Sequence, residues 1–174
     1  GEGIFETFAR GSVLNYFIMT KKKSPISCDW KAGATLKSSG APKENKSALY
    51  KHRGKFRWQG IKIEKYKQSG GGWADIARQT LIGNKGDTPK FHVRYFEIAP
   101  GGCSSFEMHK HEHVVICVRG KGRAIAGKKS HILNFLDTLY ISPNAPHQLR
   151  NPFKSPFGFF CIVNAKRDKP KIII

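Results

Sequence analysis

A chain of 174 residues suits one domain of ordinary size with an extension. With 39% apolar and 25% charged residues, its composition excludes wholesale disorder. The imbalance is one of sign: 31 Lys+Arg against 12 Asp+Glu give a formal net charge of +19, which attracts nucleic acid, anionic lipid or acidic substrates without specifying a fold. Residues 1–55 hold 11 basic and 4 acidic residues and residues 56–174 hold 20 and 8, so the surplus is spread along the chain. A spread surplus reads as a solubility trait rather than as one binding tail.

In chain order, Ile4, Phe5 and Phe8, then Val13, Leu14, Phe17 and Ile18, recur at the 3–4 residue spacing of a short amphipathic helix interrupted at Gly11. The run VLNYFIM is too short for a membrane span, and lysines follow it where a signal peptide carries them in front. The chain opens at Gly1 without methionine, as a processed or trimmed product does. The Lys-, Ser-, Gly- and Pro-rich stretch that follows reads as an extended basic arm. These features give an N-terminal extension over 1–55, a main domain over 56–168 and a tail over 169–174.

From Phe56 the texture changes. FRWQGIKIEKY, WADIARQTLIG, KFHVRYFEIAPGG, HVVICVRGKGRAIAG, SHILNFLDTLYISP, HQLRNPF and FGFFCIVNA are β-branched or aromatic runs closed by Gly, Pro, Asn or Asp. Such punctuation predicts short strands in an antiparallel, all-β sandwich or barrel. Of the four cysteines, Cys28, Cys103, Cys117 and Cys161, none makes a CxxC pair. Cys117 and Cys161 sit in apolar runs as small core residues, which favours a reducing, cytoplasmic setting. Phe106, Phe157, Phe159 and Phe160 read as core and interface packing.

The stretch Glu107-Met-His-Lys-His-Glu-His113 concentrates three histidines and two carboxylates. Side chains at i and i+2 share a strand face. His109, His111 and His113 on one unbroken strand would therefore stand roughly 6.5–7 Å apart in sequence, too far along a line for one ion. Glu107 and His109 as the i, i+2 pair, with a turn at 110–112 and His113 opening the returning strand, can converge. In that arrangement His111 is solvent-facing in the turn and Glu112 is a surface charge. His52, His92 and His131 have no partner pattern and read as structural or exposed.

Here the residues resemble the cupins, a superfamily of small β-barrels, whose first motif is G(X)5HXH(X)3-4E(X)6G. Aligned on Gly101, its HXH positions fall on Glu107 and His109, its Glu position on His113 and its final Gly on Gly120. Every spacing matches, with a His and a Glu exchanged. The second motif, G(X)5PXG(X)2H(X)3N, fits Leu136, Ser142, Asn144, His147 and Asn151 in spacing, keeping the His and the Asn. The resemblance covers about residues 85–165 and implies a cupin-type barrel, or jelly roll. The implied metal ligands are Glu107, His109, His113 and His147, and the alternative is a polar pocket without metal.

Such a ligand set suits one divalent transition metal ion, whether Fe, Mn, Ni, Cu or Zn. Open coordination positions permit substrate or dioxygen binding. The resemblance implies an oxygen-dependent dioxygenase acting on a small organic acid or enol, with a metal-assisted isomerase or lyase as the alternative. A third reading is a non-catalytic binding barrel whose basic arm meets an anionic partner; nucleic acid fits this less well, since only KHRGKFRW, residues 51–58, interleaves basic and aromatic residues. Arg94 and Phe96 alternate with Val93 and Tyr95, and an inward Arg94 could clamp a substrate carboxylate. Tyr140 and Gln148 are further catalytic candidates. By the same resemblance a homodimer is expected, with residues 56–68 as its contact.

Overall fold

The structure is a computed structural model that describes residues 47–66, 74–83 and 89–173. The helix expected within residues 1–20 and the arm up to residue 46 lie outside the described residues. One compact unit spans Glu44–Ile174. Among the described residues it is all β: β1 (Glu64–Lys65), β2 (Ala74–Ile82), β3 (Phe91–Cys103), β4 (Glu107–Met108), β5 (His113–Arg119), β6 (Gly122–Ala126), β7 (Lys129–Leu133), β8 (Thr138–Ile141), β9 (His147–Arg150), β10 (Phe157–Asn164) and β11 (Lys171–Ile172). No helix among them is long and apolar enough to cross a membrane.

The strands pair antiparallel in the order β11-β4-β9-β3-β10-β5-β8, with β2 added to β3, β1 to β2, and β6 joining β9 to β7. The result is a nearly closed barrel, as the punctuated strands predict. Period-two alternation decides what fills it. In β10 Phe157, Phe159, Cys161 and Val163 are buried, and in β5 His113, Val115 and Cys117 are. Ile98, Val115, Cys117, Ala124 and Phe157 have no exposed surface at all, and Phe96 stacks on Phe159 at 5.5 Å. Each such large apolar side chain contributes about 1.5–3 kcal/mol on burial.

The outer face of β3 and β10 is covered from the N-terminal side. Phe56 stacks on Tyr95 at 5.5 Å, Trp58 lies against Tyr95 and Phe160, and Gln79 Nε2 donates to the Phe56 carbonyl at 2.9 Å. The basic side chains of this segment stay exposed while its two aromatics are half-buried. Phe56 and Trp58 thus pack on their own sheet. At the other end, β11 pairs with β4 and the Ile173 N–H donates to the Phe106 carbonyl at 2.9 Å, so the tail from residue 169 enters the sheet.

The four motif positions that carry glycine in the cupin pattern keep a left-handed backbone whatever residue occupies them. Gly101 has φ 81°, Gly120 61°, Leu136 68° and Asn144 60°. Spacing therefore preserves the turns where identity is lost. Asn151 ties the two motifs together. Its Nδ2 donates to the carbonyls of Ile98 and Ser155 and its Oδ1 accepts from the Phe153 N–H, while its backbone exchanges hydrogen bonds with Gly101 and Gly102.

Two stability outcomes follow. Leu136 is 63% exposed and makes no core contact to lose. Leu136→Gly removes about 1–2 kcal/mol of left-handed strain against about 0.5–1 kcal/mol of glycine entropy, and the urea midpoint should rise slightly. Asn151→Ala strands buried backbone groups at about 1–3 kcal/mol each, and the same titration should show a large fall.

Candidate metal centre

Three elements bring the histidines together. His113 opens β5, directly opposite Val163 of β10 and Ile141 of β8. His147 opens β9, where it pairs with Glu107 of β4. His109 follows β4, and its carbonyl accepts the Asn144 N–H at 2.7 Å, which fastens it to the turn that leads into His147. Pro143 and Pro146 flank that turn.

The ligand atoms of His109, His113 and His147 lie within 4.8 Å of one another, and all three side chains are buried. Their ring centroids are 4.6–5.1 Å apart. In each ring one nitrogen is engaged and the other is not. His109 Nδ1 donates to the His111 carbonyl at 2.8 Å and His147 Nδ1 to the Ala145 carbonyl at 2.9 Å, while His113 Nδ1 lies 3.6 Å from Cys161 Sγ. All three Nε2 atoms are buried without a hydrogen-bond partner. A polar atom left so at a cost of about 1–3 kcal/mol is what a metal ligand looks like before the ion arrives, with Nδ1 fixing the tautomer that offers the Nε2 lone pair.

Electrostatics agree with neutral rings. Burial lowers His109, with His111 and His147 beside it adding repulsion. Burial and the neighbouring His147 and His109 hold His113 down to about 2. Burial pushes the Cys161 thiol up, only partly opposed by the Arg94 guanidinium.

The pocket that His113 and His147 face is lined also by Arg94, Phe96, Glu107, Leu149, Phe159 and Cys161 among others. Arg94 is inward, as one of the two alternations requires. Its Nη2 donates to Cys161 Sγ at 3.3 Å, and its Nε is buried with no partner. Glu107 is buried on the same pocket, accepting from the Ser105 hydroxyl, but it stands outside the tight group of three imidazoles.

Three expectations need correction. Tyr140 is 60% exposed on the outer face, because its strand partner is the outward Val114 while Ile141 takes the inner position opposite His113. Gln148 alternates with His147 and Leu149, so it turns away from the pocket and donates to the Ser104 carbonyl at 2.8 Å. His111 is only 8% exposed rather than solvent-facing, its ring stacked on that of His109 at 3.6 Å. Its Nδ1 donates to Asp168 at 2.8 Å, and the ligand atoms of His109, His111 and Asp168 form a second close group. Asp168 had no signal of its own in the sequence. Glu112 is a surface charge, accepting from Asn164 at 3.1 Å.

Fold and site together define a small antiparallel barrel with an inward cluster of imidazoles. The Cupin domain family model matches residues 94–163. The 1-methylthio-D-xylulose 5-phosphate methylsulfurylase of Rhodospirillum rubrum is 37% identical over 118 residues, covering 67% of this chain and 74% of its own. A cupin 2 conserved barrel domain protein from Rhodopseudomonas palustris superposes with a TM-score of 0.67 at 33% identity, over 73% of this chain and 87% of that one. A cupin-2 domain protein from Rhodospirillum rubrum gives 0.65 at 33% identity, over 72% and 84%. The chain belongs to the cupin family.

Proposed function

We propose that the chain is a metal-dependent cupin enzyme that holds one divalent transition ion on His109, His113 and His147, completed by Glu107, and acts on a small phosphorylated sugar ketone. The observation that carries the reading is the convergence of three buried, unpartnered Nε2 atoms. Bound there, Fe, Mn, Ni, Cu or Zn supplies Lewis acidity toward a substrate oxygen.

The chain's own residues account for binding. Among the described residues Arg94 meets no carboxylate, and a buried guanidinium without a counter-charge is costly. A substrate anion beside its free Nε offsets that cost with a charge-assisted hydrogen bond. The walls of Ile76, Phe96, Leu149 and Phe159 exclude water and take up the apolar part of the substrate. The Rhodospirillum rubrum relative supports the substrate class, since its name specifies a ketose bearing a 5-phosphate and a methylthio group. In this pocket the phosphate falls to Arg94 and the thioether to the stacked Phe96 and Phe159, a contact sulfur favours.

The proposal places the reaction among metal-assisted isomerase or lyase chemistries that need no dioxygen. The oxygen-dependent dioxygenase on an organic acid or enol draws on the same ligand set, and an oxygen electrode separates the two. The proposal includes a homodimer with residues 56–68 as its contact. Among the described residues the buried thiols of Cys117 and Cys161 form no disulfide, which supports a reducing, cytoplasmic setting.

Elemental mass spectrometry should find about one transition ion per wild-type chain and none after His109→Ala, His113→Ala or His147→Ala. No ion in the wild type, even after reconstitution, would sink the enzyme and leave a binding barrel. Arg94→Met should keep the ion and raise KM for 1-methylthio-D-xylulose 5-phosphate by roughly ten- to a hundredfold, the worth of a hydrogen bond to a charged group. Steady-state turnover without oxygen uptake is expected, and an unchanged KM would remove Arg94 from the site.

A further inference from the structure

The turn that carries His109 is clamped from a distant part of the chain. Asp168 accepts the Lys110 N–H with both carboxylate oxygens, at 2.9 and 3.1 Å, and the His111 Nδ1–H at 2.8 Å. The residue so held, His111, does two things to His109. Its carbonyl accepts the His109 Nδ1–H at 2.8 Å, and its ring covers that of His109 at 3.6 Å with only 5° between the planes. The chain beyond Asp168 then runs along the strand next to this turn, with Lys171 opposite Met108 and Ile172 opposite Glu107.

We propose that Asp168 is a positioning residue for the metal centre: by clamping Lys110 and His111 it fixes the His109 ring with its proton on Nδ1 and its Nε2 facing His113 and His147. The proposal rests on the metal reading of the three histidines. It makes the C-terminal segment a strap that completes the centre from one side, while the Asn144 N–H holds the His109 carbonyl from the other. An exposed carboxylate that touches no ligand directly orients one through a neighbour, as outer partners of ligating histidines do. His109 is the ligand that needs such support, because it lies past the end of β4 and no strand pairing holds it.

The test uses the full chain and has two readouts. Long-range 1H–15N spectra of the metal-free protein report the tautomer of each histidine, with His109 assigned by its loss in His109→Ala. Competition with a chromogenic chelator reports Zn(II) affinity. The wild type should show His109 protonated on Nδ1. Asp168→Ala should give a mixture of both tautomers at His109 and a ten- to hundredfold weaker Zn(II) affinity. Asp168→Asn, which keeps one acceptor for Lys110, should fall between, and Glu112→Gln should match the wild type. Unchanged affinity in Asp168→Ala would overturn the proposal. So would weaker affinity with an unchanged His109 tautomer, which would make Asp168 a ligand itself. A wild type that binds no Zn(II) while Asp168→Ala still shifts the His109 tautomer would uphold the clamp and overturn the metal reading instead.

Discussion

The site depends on β10 being hydrogen-bonded along both edges, to β3 on one side and β5 on the other. That double pairing fixes the phase of three strands at once, since a slip by one residue would turn every inner side chain outward. It sets Arg94 opposite Cys161 and Cys161 opposite Val115, a row across the inside of the barrel. His113 stands two residues before Val115 and so points the same way. The remaining candidate ligands come from a second, smaller pairing, Glu107 with His147, and from the tie between His109 and Asn144. Neither would converge on His113 unless the first row held.

Much of this was legible because it rests on local period and spacing. Alternation in HVVICVR and FGFFCIV gives the inward sets directly, and the distances between the motif positions survive although half of their identities have changed. The left-handed backbone at Leu136 and Asn144 explains how: the turn geometry is set by loop length and pairing, and a non-glycine residue bears the strain. Spacing was thus a better guide than composition, because spacing is what the strands measure.

What the sequence did not yield depends on partners far along the chain. The phase of β8 is decided by β5, so Tyr140 and Ile141 cannot be told apart until Val114 and His113 are set beside them. His111 reads as a turn residue open to water, and only Asp168, 57 residues later, draws its ring down onto His109. Gln148 is a different case. Once His147 is taken as an inward residue, period two already sends Gln148 to the other face. That inference was available from the sequence.

The exchange of His and Glu within the first motif leaves the charge of the set unchanged, at three imidazoles and one carboxylate. Imidazole ligands add no charge to a metal centre, and among the described residues Glu107 is the one carboxylate on the pocket wall. A divalent ion held there would be only half neutralised by it, and Arg94 stands on the same wall with a further positive charge. In a buried, apolar enclosure such an excess is poorly screened. An anion would restore the balance, so under the proposed metal reading the pocket would favour negatively charged substrates before any shape is read. Burial first, and then the neighbouring His147 and His109, keep the proton off His113, with Arg94 adding a smaller repulsion. Attraction for an anion therefore rests on where β3 and β10 place a single arginine, while the readiness of the rings to bind metal rests on their burial.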